Sequence, residues 1–161
     1  MRVGHGIDVH AFTDDPERVC VLGGVVIPGS RGLAGHSDGD VVVHAICDAV
    51  LGAAALGDIG HYFPDTDPAY RNIRSTRLLE RVVAEAEAAG YKIGNVDVTV
   101  LAQEPRLAPH ISAMRAVLAE VMGISAGQIS IKATTTEGLG FVGRREGVEV
   151  HAVCFLRGRE E

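Results

Sequence analysis

Residues 40–56 read Asp-Val-Val-Val-His-Ala-Ile-Cys-Asp-Ala-Val-Leu-Gly-Ala-Ala-Ala-Leu, an apolar run broken at every fourth position by Asp40, His44 and Asp48. That spacing predicts a helix carrying one polar stripe, with Ser37 or Asp38 as its N-cap and Gly57 as its terminator. Upstream, Arg2 to Phe12 and Val19 to Ile27 have the Val and Ile content of strands. The turn Thr-Asp-Asp-Pro between them predicts a small N-terminal hairpin. Downstream, helices are predicted over Thr76 to Ala89, capped by Ser75 and stopped by Gly90, and over Pro109 to Met122, stopped by Gly123. Strands near Asn95 to Ala102, Ile129 to Thr135 and Val148 to Leu156 alternate with them. This order predicts an α/β fold, an α+β sandwich with a mixed, mainly four-stranded sheet and helices on one face. In the last strand Val148, Val150, Ala152, Cys154 and Leu156 form an apolar set, while the opposite set runs from Glu149 and His151 to Val153 and Phe155. A face ending in Val153 and Phe155 meets a second copy or a ligand cavity rather than water.

The chain has 161 residues, enough for one domain over 1–161 with a substantial core. Charged residues make up 22% and hydrophobic ones 47%, which disfavours both disorder and a membrane-embedded body. The net charge of −6 leaves no broad basic surface for nucleic acid, so any phosphate must be caught locally. The apolar run 41–56 is interrupted by His44 and Asp48 and is short for a bilayer span; no membrane segment or signal peptide is expected. Cys20, Cys47 and Cys154 form no C-x-x-C pair or zinc-ribbon spacing and have no base beside them, so they read as buried thiols in a reducing cytoplasm. Acidity is uneven. Residues 1–67 hold nine of ten Asp, one of eleven Glu and five of seven His, with only three arginines, a net charge of −7 against +1 for the rest. Short, stiff Asp side chains beside imidazoles suit a divalent cation better than a solvated face.

Asp8 and His10 are two apart on the first predicted strand and so share a face. If the stripe of the helix faces that strand, Asp8, His10 and His44 supply one oxygen and two nitrogens, leaving a tetrahedral zinc one open position for catalysis. Taken singly, His44 reads as a hydrogen-bonded core histidine and Asp8 as a turn cap; their combination reverses that weighting. His36 and Ser37 lie just before a helix N-terminus, where backbone N–H groups and the helix dipole attract phosphate. A plain N-cap accounts for Ser37 but not for His36. Asp58, Asp65 and Asp67 sit in a proline-fixed loop that can hold sugar hydroxyls or hydrated magnesium, or be ordinary turn chemistry. Lys132 to Arg144 joins Thr134, Thr135 and Thr136 as phosphate donors to Glu137 as a ligand for a hard metal, although a Thr run alone is usually strand propensity. His5, His61, His110 and His151 read as structural or surface residues.

With these residues in hand, the chain resembles the 2-C-methyl-D-erythritol 2,4-cyclodiphosphate synthases. The resemblance covers essentially its whole length, through Gly-x-Asp-Val-His-Ala-Phe, Ala-x-His-Ser-Asp-Gly-Asp, Leu-Gly-Asp-Ile-Gly, Phe-Pro-Asp-Thr-Asp-Pro, Gly-Asn-Val-Asp-Val-Thr and Lys-Ala-Thr-Thr-Thr-Glu in the family's order. Ile7, His61, Glu104 and Arg106 depart from the familiar pattern without touching either expected metal set. The resemblance implies a homotrimer with its sheets toward the threefold axis and active sites between subunits. It implies 4-diphosphocytidyl-2-C-methyl-D-erythritol 2-phosphate as substrate, cyclised with release of CMP on the non-mevalonate isoprenoid route. Zn2+ would sit on Asp8, His10 and His44, and Mg2+ or Mn2+ on Glu137, bridging the diphosphate. Asp58, Ile59, Gly60, Phe63, Asp65 and Asp67 would position the methylerythritol part. Ala102 to Ala108, with Pro105, Arg106 and Leu107, would form the cytidine loop. Ser37, Lys132, Thr134 and Thr136 would join the substrate contacts, with His36 and Thr135 as transition-state phosphate donors. Phe141 and Arg144 would correspond to residues that hold an isoprenoid diphosphate near the trimer axis. Rival readings from the residues are a zinc-dependent phosphohydrolase, whose open position carries hydroxide, and a non-catalytic metal-stabilised trimer.

Overall fold

The computed structural model describes residues 1–158. Its strands are β1 (Arg2–Ala11), β2 (Val19–Leu22), β3 (Val25–Arg31), β4 (Tyr91–Leu101), β5 (Ile129–Thr134) and β6 (Gly147–Gly158). Its helices are α1 (Val41–Ala54), α2 (Ile59–Tyr62), α3 (Ser75–Ala88), α4 (Ile111–Met122) and α5 (Gly140–Gly143). One mixed sheet has the order β1-β6-β4-β5, with β4 and β5 parallel and the other neighbours antiparallel. The hairpin exists, but its partners differ from the expected ones. β1 pairs with β6 from Arg2↔Leu156 to Ala11↔Gly147, and residues 19–31 fold back on themselves as β2 and β3. Gly23 and Gly24, with φ of 59° and 75°, make the two-residue turn that the reading of 19–27 as one strand overlooked.

The inner face of the sheet explains where α1 lies. β1 turns Gly4, Gly6, Asp8 and His10 toward the helices and Val3, Ile7 and Val9 away from them. A Cβ on Gly4 would lie 1.9 Å from the Ala49 carbonyl oxygen, and one on Gly6 would lie 2.0 Å from that of Ala45. The two glycines therefore let the α1 backbone rest directly on β1 and set His44 beside Asp8 and His10. Gly6→Ala forces these elements apart and is expected to lower the unfolding free energy by about 3 kcal/mol. Gly52 lies in the same helix with nothing within 4 Å of its added Cβ, so Gly52→Ala should stabilise by about 0.5–1 kcal/mol. Urea unfolding of the two variants checks both signs.

Eleven of the fourteen α1 residues are buried, because α3 and β2 cover the side that β1 and β6 do not. Its N-cap Asp40 and its two polar residues, His44 and Asp48, each serve a different partner. Asp40, fully buried, is the N-cap in place of Ser37 or Asp38; it accepts from the backbone N–H of Val43 at 3.1 Å, Gly23 at 2.9 Å and Gly24 at 2.6 Å. Burial pushes its carboxyl up to about 6 against the pull of those donors. Asp48 accepts from Ile59 N–H at 2.8 Å and fixes the start of α2. The helix ends at Ala55 in left-handed conformation, φ 59°, two residues before Gly57, with Leu56 N–H bonded back to the Leu51 carbonyl. Among the described residues no helix is long and apolar enough to cross a membrane. All three cysteines are free and buried, and burial raises their thiols, Cys20 to about 11 and Cys154 to about 12. The outer sheet face keeps Val3, Ile7, Val9 and Val153 exposed, Val3 at 70%.

Candidate metal centre and active site

Asp8 and His10 stand on the inner face of β1 just beyond the stretch that α1 covers, and His44 reaches them from the first turn of α1. Asp8 Oδ2 lies 2.8 Å from His10 Nε2 and 3.1 Å from His44 Nδ1, and the two ring nitrogens are 3.2 Å apart. His10 donates its Nδ1–H to the Ala34 carbonyl, so its Nε2 presents a lone pair to the cluster. Two of the three converging atoms, the Asp8 oxygen and His10 Nε2, are thus acceptors that need a cation or a proton between them. A tetrahedral divalent ion with bonds of about 2.0–2.1 Å requires ligand atoms about 3.3 Å apart, so this set accepts one with a shift of a few tenths of an ångström. The triad meets the geometry of a metal-holding group. Burial alone would raise the Asp8 carboxyl, yet the hydrogen bonds and charges of His10 and His44 outweigh it and hold the carboxyl well below the usual range. His10 shows the mirror image: burial lowers its basicity, and Asp8 with the Ala34 carbonyl raises it above the ordinary value.

The cluster opens into a cavity of about 270 Å³ whose walls include Gly35, His36, Ser37, Ile59, Gly60, Phe63 and Asp65. The cavity thus brings together His36, Ser37, Ile59, Gly60, Phe63 and Asp65. His36 Nε2 lies 3.2 Å from the Asp67 carbonyl oxygen. Asp58 caps α2 by accepting from His61 N–H at 3.0 Å, and Asp67 caps the turn Pro68–Tyr70 by accepting from Ala69 N–H at 2.9 Å. One oxygen of each carboxylate therefore has turn duty. The start of α1 is not an open anion site, because the buried Asp40 carboxylate already holds that position. Ser37 is buried, with its hydroxyl 3.0 Å from His44 Nε2.

Lys132, Thr134 to Glu137 and the 102–108 loop lie on the β4 and β5 side of the sheet, while Phe141 and Arg144 lie in the connection that leads back to β6 beside the end of β1. Thr134, Leu101, Glu149 and Val9 form one row across β5, β4, β6 and β1. Three strand spacings of about 4.8 Å place Thr134 about 14 Å from Val9, which lies between Asp8 and His10. Ala102 N–H bonds the Thr134 carbonyl at 3.0 Å, which ties the 102–108 loop to the threonine loop. In that loop Ala102 and Leu107 are buried, Pro105 is half-buried, and Arg106 and Ala108 are exposed. Thr135 donates its hydroxyl to Glu137 Oε1 at 3.0 Å, and Thr136 donates to the Leu139 carbonyl at 2.6 Å. Glu137 has φ 54°, a left-handed conformation that costs a non-glycine residue of order 1 kcal/mol and persists where a turn over-determines it. Lys132 points from β5 to the outer sheet face and is ion-paired with Asp97, whose carboxyl it holds below the usual range. Arg144, after α5, pairs with Glu146 at 2.8 Å, and Phe141 is half-buried.

Residues behind His44 escaped the reading of the sequence. Ser75 Oγ lies 2.9 Å from His44 Nε2, and Asp38 accepts from both the Ser75 hydroxyl and its backbone N–H. Arg18 reaches the carbonyls of Gly35 and Ser37 and props the loop that carries His36. The visible signal, Ser75 before an apolar run, also fits a helix cap, and nothing local links it to Asp38.

A family model described as the YgbB family matches residues 1–157. The 2-C-methyl-D-erythritol 2,4-cyclodiphosphate synthase of Moorella thermoacetica is 58% identical over 99% of this chain and 97% of that protein. Its namesake from Pseudomonas aeruginosa is 55% identical over 99% of this chain and 100% of that one. Among solved structures, the Plasmodium falciparum IspF CDP complex matches with TM-score 0.86 and 34% identity over 99% of this chain and 97% of that one. The bifunctional IspDF of Campylobacter jejuni matches with TM-score 0.94 and 42% identity; the alignment covers 99% of this chain, which spans 42% of that longer protein. Full-length similarity of this order, over a fold whose strand, helix and loops assemble the Asp8, His10 and His44 cluster, means that the chain belongs to the YgbB family.

Proposed function

We propose that the chain is a cytoplasmic cyclodiphosphate synthase, a single catalytic domain over 1–161. It converts 4-diphosphocytidyl-2-C-methyl-D-erythritol 2-phosphate to 2-C-methyl-D-erythritol 2,4-cyclodiphosphate and CMP, in non-mevalonate isoprenoid precursor synthesis. The convergence of Asp8 Oδ2, His10 Nε2 and His44 Nδ1 in the wall of a cavity carries this reading. An oxygen of the 2-phosphate attacks the β-phosphorus, a new P–O bond forms, and the bridging P–O bond to the α-phosphate breaks as CMP leaves. The nucleophile is already ionised near neutral pH, so placement and charge neutralisation dominate over proton removal.

Asp8, His10 and His44 would hold zinc, and Glu137 would hold Mg2+ or Mn2+ through the oxygen not engaged by Thr135. Bound there, divalent cations supply Lewis-acid neutralisation of the phosphate charges. His36 from the cavity wall and Thr135 from the threonine loop donate to phosphate oxygens as charge builds. Asp65, Ile59, Gly60 and Phe63, with Asp58 and Asp67, orient the polyol, and residues 102–108 orient the cytidine. Across the sheet Thr134 lies about 14 Å from Val9, a span longer than a diphosphate, which supports a site whose two halves come from neighbouring copies. A closed ring in which each copy presents its β1 edge to the next copy's β5 edge meets that need, and a homotrimer also covers the exposed Val3, Ile7, Val9 and Val153. Phe141 and Arg144 would face the axis of that ring and an isoprenoid diphosphate held there.

Reaction in water enriched in oxygen-18, followed by mass spectrometry, distinguishes cyclisation from hydrolysis. The expected products are CMP and a cyclic diphosphate, neither carrying solvent oxygen. Labelled product or free orthophosphate would establish a zinc phosphohydrolase instead.

A further inference from the structure

Proton accounting around His44 reaches beyond the metal triad. Asp38 is used only as an acceptor: Oδ2 takes Ser75 N–H at 3.1 Å, while Oδ1 takes the Ser75 hydroxyl and Asp40 N–H at 3.2 Å. The single Ser75 hydroxyl proton is therefore committed to Asp38. Ser75 Oγ can then only accept at its 2.9 Å contact with His44 Nε2, so that nitrogen must carry the proton. Ser37 Oγ, 3.1 Å from Ser75 Oγ and 3.0 Å from the same ring nitrogen, fits this direction: it shares the Nε2–H and gives its own proton to Ser75. A proton on Nε2 leaves Nδ1 as the coordinating atom, and Nδ1 is the atom that faces Asp8 and His10. His10 has the opposite polarity, with Nδ1–H on the Ala34 carbonyl and Nε2 toward the cluster.

We propose that Asp38 and Ser75 are positioning residues that hold His44 in its Nε2–H form, so that Nδ1 completes the metal set. The proposal rests on the reading of Asp8, His10 and His44 as a cation site. Neither residue is among those lining the cavity; Asp38 acts through Ser75, and Ser75 acts through His44. The device joins the loop before α1 to the first residue of α3 across 37 positions of sequence, so the docking of α3 is coupled to the orientation of a ligand on α1.

The test uses the full chain with zinc and, separately, cobalt as probes. Zinc affinity is measured by chelator competition for the unsubstituted protein and for Ser75→Ala, Ser75→Thr, Asp38→Asn and His44→Ala. The expected result is a 10- to 100-fold loss of affinity in Ser75→Ala, of the order found when an outer partner of a ligating histidine is removed, and recovery of most of it in Ser75→Thr. The cobalt visible spectrum should shift in Ser75→Ala, and the slowly exchanging His44 Nε2–H resonance of the zinc-loaded protein should disappear. Asp38→Asn should fall between the two serine variants. The melting temperature of each metal-free variant reports folding, so a merely structural role would lower it without moving the cobalt spectrum. Tight zinc binding lost in His44→Ala but kept within threefold in Ser75→Ala, with an unchanged spectrum, overturns the relay and leaves the metal reading intact. No zinc binding by the unsubstituted chain overturns both.

Discussion

His44→Ala is expected to reduce turnover by at least ~10³-fold, about 4 kcal/mol of transition-state stabilisation, while the chain stays folded and assembled. In the proposed metal set His44 is one of three ligands, and the two that remain, Asp8 and His10, are neighbours on one face of one strand and cannot enclose an ion from a second side. The loss should therefore appear first as metal content and then as rate. Folding should suffer much less. The ring lines the cavity, and its removal leaves Ser37 and Ser75 hydroxyls that still bond each other at 3.1 Å. Steady-state CMP release, metal analysis and size-exclusion chromatography on one preparation separate the alternatives. Retained activity would remove the metal from the mechanism, and loss of assembly with unaltered metal content would make the triad a scaffold.

Local spacing carried the parts of this site that local geometry controls. Asp8 and His10 share a face because a strand repeats every two residues. Asp40, His44 and Asp48 share a stripe because a helix repeats every three to four, and both periods are readable without knowing what packs where. The use of each stripe residue was not readable. Asp40 could be known as the cap that gathers Gly23 and Gly24 only after the hairpin turn was placed, and Asp48 as the anchor of α2 only after Ile59 was. Pairing failed for the same reason. The expected partnership of residues 2–12 with 19–27 assumed the nearest strand, whereas the actual partner of β1 begins at Gly147, and only burial of the whole inner face selects it. Gly4 and Gly6 were visible as glycines, but their function, the contact of α1 backbone with β1, belongs to packing. The four short helical turns at 59–62, 68–70, 126–128 and 140–143 lack the length that makes periodicity legible.

The proposed division of the site between neighbouring copies leads to a second large effect, in which two inactive proteins make an active one. Glu137→Ala alone should cost at least ~10²-fold in rate, because it removes the one carboxylate of the threonine loop while leaving the Asp8, His10 and His44 cluster whole. His44→Ala chains retain an intact threonine loop, and Glu137→Ala chains retain an intact metal triad. If each site takes its β1 edge from one copy and its β5 edge from the next, rings formed from an equal mixture contain productive junctions. A junction works only when a Glu137→Ala chain offers the triad and a His44→Ala chain offers the loop, so random mixing makes about one junction in four competent. Co-expression of differently tagged chains, with isolation of rings that carry both tags, should reach roughly a quarter or more of the unsubstituted value, about 25-fold or more above the Glu137→Ala parent and further above the His44→Ala parent. Sites built within single copies predict no gain, since every chain in the mixture would carry one broken half. The same measurement also tests orientation. A ring in which β1 edges meet β1 edges would bring two triads together and two threonine loops together, and it too would yield no complementation.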